Sequence, residues 1–231
     1  MLKVEDIHTC YGSSHVLQGI SLEVREGELV CLLGRNGAGK TTTLKSIMGI
    51  VPPVRGSIEY RGRLIMGMKT HQIARLGIGY VPEDRRIYPD FSVVENLQIA
   101  CRKPGRDGWD IAKVSQLFPD LEDKQARLGC QLSGGEQQML AIARTLMGNP
   151  QFLLLDEPAE GLAPIIVSAL AEALNEIKRQ GLSMLLSEQN ARFAIKIADR
   201  AYVIDKGRVI FEGTISKLME SEEEMRRRLV F

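Results

Sequence analysis

Continuous apolar runs and helical segments alternate along the chain and predict a sheet covered by helices. Residues 29–33 (Leu-Val-Cys-Leu-Leu) and 152–155 (Phe-Leu-Leu-Leu) are apolar at every position, which is typical of parallel strands buried on both faces. Residues 40–48 and 164–179 have the pattern of helices. Because strands and helices alternate, we expect an α/β fold with a mainly parallel sheet. Further strands are expected over residues 19–24, 183–186, 201–204 and 209–211.

The middle of the chain has a different pattern. Ser92 and Ser133 are each followed three residues later by a glutamate. This is the capping box, in which the serine oxygen and the glutamate satisfy opposite backbone N–H groups at a helix start. Strand patterns disappear from the same stretch, so we expect an inserted helical subdomain at about residues 83–149. The mixed-sheet core is expected to comprise residues 1–82 and 150–231, which makes the 231 residues a single domain.

Composition favours a folded protein without a broad surface for polyanions. Hydrophobic residues make up 44% of the chain, and 30 Lys plus Arg balance 29 Asp plus Glu, so we expect no nucleic-acid partner. The four cysteines form no Cys-x-x-Cys pair, which argues against a zinc site or a disulfide framework. No apolar run approaches the roughly 18 residues of a membrane span, so a cytoplasmic location is expected. In residues 222–228, glutamates precede arginines by four positions, which predicts a final helix.

A phosphate-binding loop is the strongest chemical signal. Residues 34–41, Gly-Arg-Asn-Gly-Ala-Gly-Lys-Thr, fit its pattern and lie between a buried strand and a helix, as the motif requires. Glycines allow backbone N–H groups to point inward, and the helix start adds the positive end of a dipole. We expect Lys40 at the β- and γ-phosphates, Thr41 on Mg²⁺ and Thr42 near the α-phosphate. The other residues expected to line a triphosphate are Gly34, Asn36, Gly37, Ala38 and Gly39.

Two acidic residues, Asp156 and Glu157, follow the buried strand at residues 152–155. Ligands of open α/β sheets bind at the carboxyl ends of strands. Asp156 is therefore a candidate ligand of Mg²⁺ through water, and Glu157 a candidate general base that orients the attacking water. Adjacent acids at a strand end often serve only solubility, but the phosphate-binding loop gives these two a metal to hold.

A second anion-binding turn lies at residues 132–138, Leu-Ser-Gly-Gly-Glu-Gln-Gln, where Ser-Gly-Gly opens a helix. A single triphosphate already has its anion-binding turn in the phosphate-binding loop and does not need a second one. The simplest interpretation is that the second turn serves the nucleotide of another subunit, and a well-capped helix start is the alternative. A small-molecule kinase would have no use for this motif.

The order GRNGAGKTT, LSGGEQQ, FLLLDE resembles the ATP-binding-cassette (ABC) ATPases over essentially the whole chain. The resemblance implies a P-loop NTPase fold of the ABC type and a head-to-tail dimer. In such a dimer each ATP lies between one phosphate-binding loop and the signature motif of the other subunit. Tyr11 would stack on the adenine, with a half-buried strand aromatic as the alternative. The signature residues that would face the partner's nucleotide are Ser133, Gly134, Gly135 and Gln137.

Three positions depart from the commonest ABC pattern. Glu83 stands where the Q-loop glutamine usually lies, Ala163 replaces the D-loop aspartate, and Gln189 replaces the switch histidine. By position, Glu83 would lie at the metal and Gln189 at the γ-phosphate. Three segments are similar to the ATPases of branched-chain amino-acid importers, especially to the shorter of their two ATPase subunits. They are VPEDRRIYPDFSVVENL, DEPAEGLAP and SEQNARFAIKIADRAYVIDKGRV. The ATPases of urea importers are close relatives and remain an alternative.

The resemblance implies an ATPase that uses ATP and Mg²⁺ to power an importer. Its partners would be a second, homologous ATPase subunit, two membrane permease subunits docked on the helical subdomain, and a periplasmic or lipid-anchored solute-binding protein. The chain would then work at the cytoplasmic face of the cell membrane. A non-transport ABC ATPase is less favoured, because long coiled coils and basic arms are missing. A regulatory module that binds ATP without turnover is disfavoured by Glu157.

Overall fold

The computed structural model describes residues 1–102 and 108–220, so the final helix expected at residues 222–228 lies outside the described residues. The described strands are β1 (Leu2–Tyr11), β2 (Ser14–Val24), β3 (Leu29–Leu33), β4 (Arg55–Tyr60), β5 (Arg63–Leu64), β6 (Ile78–Val81), β7 (Phe152–Asp156), β8 (Ser183–Glu188), β9 (Arg200–Asp205) and β10 (Arg208–Thr214). The described helices are α1 (Lys40–Ile47), α2 (Thr70–Arg75), α3 (Val93–Ala100), α4 (Ile111–Leu117), α5 (Pro119–Glu122), α6 (Gly134–Met147), α7 (Pro164–Arg179), α8 (Ala191–Ile197) and α9 (Ile215–Glu220). Within this part of the chain, no helix has the length and apolarity that crossing a membrane requires.

The strands form two sheets. An antiparallel sheet has the order β2-β1-β4-β5. The larger sheet has the order β10-β9-β3-β8-β7-β6, in which the neighbours from β9 to β6 are parallel and β10 pairs antiparallel with β9. The α/β fold with a mixed-sheet core is therefore confirmed.

The larger sheet is the middle layer of the molecule, and both of its faces are apolar. In β3, Leu29, Cys31 and Leu33 pack into a core shared with α6, α7 and α8. The alternate residues Val30 and Leu32 pack into a second core shared with α1 and the antiparallel sheet. Because successive side chains of a strand point to opposite faces, a strand between two cores has to be apolar at every position. This explains the unbroken apolar runs in the sequence.

Helices follow β6, as the sequence predicts for the middle of the chain. Both capping boxes are confirmed: Ser92 Oγ accepts the N–H of Glu95 at 3.3 Å, and Glu95 accepts the N–H of Ser92 at 2.7 Å. The same pair of bonds joins Ser133 and Glu136 at 3.3 and 2.8 Å. Because α6 packs on α3 and also on β6, it belongs to the core of the larger sheet as well, and the subdomain boundary at residues 83–149 stays a prediction.

The tip of the β9–β10 hairpin supports the phosphate-binding loop. Lys206 and Gly207 have φ values of 47° and 75°, the left-handed pair that a tight hairpin turn requires. The N–H of Gly207 donates to the carbonyl of Ala38 at 2.9 Å, and its carbonyl accepts the N–H of Gln18 at 2.8 Å. A Cβ on Gly207 would overlap the carbonyl oxygen of Val16. Only glycine therefore allows the hairpin to approach both the loop and β2.

We expect Gly207→Ala to lower the free energy of unfolding by about 2–4 kcal/mol, because it combines left-handed strain with overlap against fixed backbone. Gly181 is a matched control, since its φ is 87° but nothing lies within 4 Å of the position of its Cβ. Gly181→Ala should cost only the strain, about 1–2 kcal/mol. Chemical denaturation of both variants measures the difference. Equal losses would contradict the close packing of the hairpin tip.

Candidate functional site

Four strands of the larger sheet end at one edge and bring the predicted residues of the phosphate-binding loop, the metal site and the turn at Gln189 there. β3, β8 and β7 are parallel neighbours, with Leu33 beside Glu188 and Asp156 beside Ser187 in the register. β6 pairs with β7 and ends two residues before Glu83. The phosphate-binding loop, the two acids after β7 and the turn after β8 consequently share the edge at which α/β sheets bind ligands.

The loop at residues 34–40 surrounds the ammonium group of Lys40. Lys40 is 3% exposed, and its Nζ donates to the carbonyl oxygens of Gly34 at 2.8 Å and Arg35 at 3.1 Å. Gly34 passes β9 so closely that a Cβ there would lie 2.6 Å from the carbonyl oxygen of Ile204. Glycine at this position therefore allows the loop to begin against the sheet and to turn back over Lys40.

Helix α1 begins at the end of this loop without a side-chain cap. Gly39 occupies its N-cap position, and no acidic residue lies in its first turn. In contrast, Ser133 Oγ caps α6 at 3.3 Å and Asn190 Oδ1 caps α8 at 3.2 Å. The first N–H groups of α1 thus lack a side-chain acceptor, and an anion at the positive end of the helix dipole would satisfy them. This end of the loop fits a phosphate group.

Lys40 also forms a buried ion pair with Glu157. The distance from Lys40 Nζ to Glu157 Oε1 is 3.0 Å, and the two side chains are 3% and 6% exposed. Removing one member of such a pair typically costs about 3–5 kcal/mol, because the remaining charge is buried without compensation. The pair holds the candidate general base directly beside the residue that is expected at the transferred phosphate.

The backbone of Glu157 is strained. Its φ of 47° lies in the left-handed region. The N–H of Glu157 donates to the Oγ and to the carbonyl oxygen of Ser187, both at 3.1 Å. A non-glycine residue in this region costs about 1–3 kcal/mol and persists only where the surroundings enforce it, often at functional sites. Here Ser187 on β8 enforces the turn that directs Glu157 towards Lys40.

Three hydroxyl groups donate to the carboxylate of Asp156. They belong to Thr41 at 2.9 Å, Ser187 at 2.7 Å and Tyr80 at 3.0 Å. Burial raises the pKa of Tyr80, and the negative charge of Asp156 and the hydrogen bond to it raise it further, so the phenol remains a donor. Sequence reasoning missed Tyr80 and Ser187. Tyr80 lies three residues before Glu83 and Ser187 two residues before Gln189, the positions that depart from the common ABC pattern. A tyrosine or a serine in a strand does not by itself indicate a site residue.

The predicted metal ligands surround one small cavity. Its volume is about 240 Å³, and Thr41, Glu83 and Asp156 are among the residues that line it. Carboxylate and hydroxyl oxygens are hard ligands, and proteins commonly bind Mg²⁺ with one or two carboxylates together with phosphate oxygens of the substrate. Among the described residues, no group of three or more His, Cys, Asp or Glu could hold a metal ion. The carboxylates of Glu83 and Asp156 and the hydroxyl of Thr41 are ligand types that Mg²⁺ takes together with substrate phosphates.

Comparison with known proteins places the chain in a family. The family model for the ABC transporter matches residues 17–160. The chain belongs to the ABC transporter family. It is 42% identical, over 95% of both chains, to the high-affinity branched-chain amino acid transport ATP-binding protein BraG of Pseudomonas aeruginosa. It is also 36% identical to the lipopolysaccharide export system ATP-binding protein LptB of Haemophilus influenzae, over 98% of this chain and 95% of LptB.

Solved structures agree with this assignment. The structure of an ATP binding subunit of an ABC transporter superimposes with a TM-score of 0.82 at 29% identity, and the match covers 100% of both chains. The resemblance inferred from the three motifs is confirmed, and the protein is an ABC ATPase that binds ATP.

Two further predicted residues of this ABC ATPase lie at strand ends. Tyr11 ends β1 with 46% of its surface exposed, so its ring is accessible to a ligand. Gln189 is exposed in the turn directly after β8. No hydrogen bond or ion pair among the described residues joins Tyr11 or Gln189 to Lys40, and their roles stay predictions.

The signature motif of the ABC ATPase has an exposed start and a buried continuation. Ser133 and Gly134 are exposed at the beginning of α6, whereas Gly135 is buried. The side chain of Gln137 donates to the carbonyl of Gly129 at 3.1 Å, so it is held within its own subunit. No hydrogen bond or ion pair in the described part of the chain connects this motif with the Lys40 site.

Glu188 is a second buried carboxylate at the same edge. It is 2% exposed. Burial raises its pKa from the ordinary value of 4.5 to about 7, and the nearby charge of Glu157 contributes in the same direction. Backbone N–H groups of Ala159, Asn190 and Gln189 lower the pKa without offsetting the effect of burial. The ionised form of Glu188 is therefore costly in the folded ABC ATPase.

The raised pKa of Glu188 makes stability depend on pH. Between about pH 4.5 and pH 7 the folded state retains a proton that the unfolded state has lost, so this group lowers stability as the pH rises through that window. The full effect is on the order of 3 kcal/mol. Glu188→Gln removes the titration, so the melting temperature of the variant relative to wild type should increase from about pH 5 to pH 8. Thermal unfolding across this range is the measurement, and a constant difference would contradict the raised pKa.

Proposed function

We propose that this ABC ATPase hydrolyses ATP with Mg²⁺ to drive the import of branched-chain amino acids. The observation that supports the catalytic part is the position of Glu157, a buried carboxylate 3.0 Å from Lys40 at the edge that carries the phosphate-binding loop. The observation that supports the solute is the 42% identity to BraG, which extends over 95% of both chains.

In the proposed reaction, Glu157 orients a water molecule and accepts its proton as the water oxygen attacks the γ-phosphorus of ATP. The bond between the γ-phosphorus and the bridging oxygen breaks, and ADP leaves with that oxygen. Lys40 stabilises the negative charge of the phosphoryl group with its ammonium. Thr41, Asp156 and Glu83, which line the same cavity, would hold Mg²⁺, which supplies positive charge to the phosphate oxygens.

A second subunit would complete the nucleotide site. Ser133 and Gly134 are exposed at the start of α6. The capping box occupies the N–H groups of Ser133 and Glu136, so the N–H groups of Gly134 and Gly135 would be the ones offered to the nucleotide of a partner at the positive end of the helix dipole. In that arrangement Gln189 would contact the γ-phosphate and Tyr11 would cover the adenine. ATP binding would close the dimer, and hydrolysis would release it.

Membrane partners complete the proposal. Two permease subunits would dock against residues 83–149, and the ATPase would lie at the cytoplasmic face of the cell membrane. A periplasmic or lipid-anchored protein would deliver the solute. A cavity of about 550 Å³ between β6, α3 and α6 offers room for a permease segment. Ile99 and Tyr88, which line this cavity, are 50% and 46% exposed, so part of its lining is apolar and accessible.

Export of a lipid is the second candidate function. It is supported by the 36% identity to LptB over nearly the whole chain. The two candidates use the same ATPase chemistry and differ in the membrane subunits and in the solute.

We expect Glu157→Gln to bind ATP and to accumulate as an ATP-bound dimer, because the amide keeps the size of the side chain but cannot accept the proton of water. Turnover should fall by about 100-fold or more. Phosphate release and size-exclusion chromatography, with and without MgATP, measure the two effects.

Glu172 is an exposed glutamate on α7. The variant Glu172→Gln is the matched control for Glu157→Gln and should hydrolyse ATP like the wild type. If Glu157→Gln also hydrolyses at the wild-type rate, the role of Glu157 is wrong. If dimers appear only after a homologous chain is added, the functional pair is a heterodimer.

Transport can be tested with the ATPase in its own complex. The chain is purified from membranes together with its attached subunits and reconstituted in liposomes. We expect leucine, isoleucine or valine, presented with the solute-binding protein, to stimulate ATP hydrolysis and to accumulate, and the Glu157→Gln complex to do neither. Stimulation by lipopolysaccharide but not by these amino acids would favour the export function, and stimulation by urea would identify the third alternative.

A further inference from the structure

Glu188 is a buried carboxylate for which the proposed reaction has no role. It is the last residue of β8 and is 2% exposed. A buried carboxylate is costly, and an apolar side chain of similar size is often more stabilising at such a position. Its raised pKa shows that its hydrogen bonds do not offset the burial. Because burial of this carboxylate destabilises the fold, a functional role would explain why Glu188 is present.

The carboxylate of Glu188 joins two loops of the site. Its Oε1 accepts the N–H of Ala159 at 3.1 Å, and Ala159 lies two residues after Glu157. Its Oε2 accepts the N–H of Asn190 at 3.3 Å, and Asn190 follows Gln189 directly. One side chain therefore ties the turn that carries the candidate general base to the turn that carries the candidate γ-phosphate contact.

The main chain of Glu188 adds a third connection. Its carbonyl oxygen accepts the N–H of Gly34, the first residue of the phosphate-binding loop, at 3.2 Å. The preceding residue, Ser187, holds the strained backbone of Glu157. The end of β8 is thus the point from which all three loops are positioned.

We propose that Glu188 is a positioning residue of the ATPase reaction, whose carboxylate fixes the turn after Glu157 relative to the turn at Gln189. This inference rests on the proposed role of Glu157. An uncharged side chain of the same shape cannot accept both N–H groups, because an amide presents a donor in place of one acceptor. Misplacement of a catalytic group by about 1 Å is enough to lower a rate by about 100-fold.

The test compares Glu188→Gln with Glu28→Gln. Glu28 is a matched control at the opposite end of the same sheet, where its side chain is 11% exposed. It also accepts a backbone N–H, that of Arg25 at 2.9 Å, together with the guanidinium of Arg200 at 3.4 Å. At pH 8, where the Glu188 carboxylate is mostly ionised, we expect Glu188→Gln to lower kcat by about 10- to 100-fold with ATP affinity changed by less than about twofold. Glu28→Gln should leave both values near those of the wild type.

A second readout does not depend on turnover. In Glu188→Gln, amide hydrogen exchange of residues 159–160 and 189–191 should become faster, while exchange in the strands of the larger sheet stays unchanged. A kcat within about twofold of wild type, or a fall in ATP affinity as large as the fall in kcat, would overturn the inference. Unchanged exchange in both turns would overturn it as well.

Failure of this inference can be distinguished from failure of the proposed function. If Glu157→Gln is inactive and Glu188→Gln is fully active, only the positioning role of Glu188 is wrong. If Glu157→Gln is itself active, the proposed role of Glu157 is wrong, and the inference fails with it.

Discussion

The buried ion pair between Lys40 and Glu157 is the interaction on which the site depends. It joins the phosphate-binding loop to the turn after β7 across 3.0 Å with both side chains almost fully enclosed. Removing either side chain would leave the other charge buried without its partner, which costs several kcal/mol. A triphosphate offers Lys40 a more highly charged partner than one carboxylate. Binding of ATP would therefore free Glu157 at the moment when a water molecule has to be activated.

The larger sheet makes this pairing possible. β3, residues 152–155 of β7 and residues 184–186 of β8 are apolar on both faces, so two cores fix these strands from opposite sides. Their parallel register then places Asp156 beside Ser187 and Leu33 beside Glu188. Consequently the loops that follow the strands begin from fixed points. The hydroxyl groups that donate to Asp156 and the N–H groups that donate to Glu188 then hold these loops, and with them the side chains that would bind phosphate, in fixed positions.

The sequence predicted the parts of the site that local motifs encode. The phosphate-binding loop around Lys40, the acids after β7 and the capping boxes depend on neighbouring residues, so their patterns are visible without the fold. Tyr80, Ser187 and Glu188 could not be found in this way, because their contacts arise from the pairing of strands that are far apart in sequence. β6 has only four residues, which is too short for its alternation of apolar and polar residues to be recognised in the sequence. The roles of Tyr11, Gln189 and the signature motif depend on a ligand or a second subunit and stay predictions.

The most direct test of this account is a double-mutant cycle on ATP affinity, measured by equilibrium titration in the wild type, Glu157→Gln, Lys40→Met and the double variant. Glu157→Gln removes the competitor for Lys40 as well as a negative charge near the phosphates. In Lys40→Met there is no ammonium to release, so only the second effect remains. If Glu157 competes with the phosphates for Lys40, Glu157→Gln tightens ATP binding more when Lys40 is present than when it is replaced. The same factor in both backgrounds would contradict it.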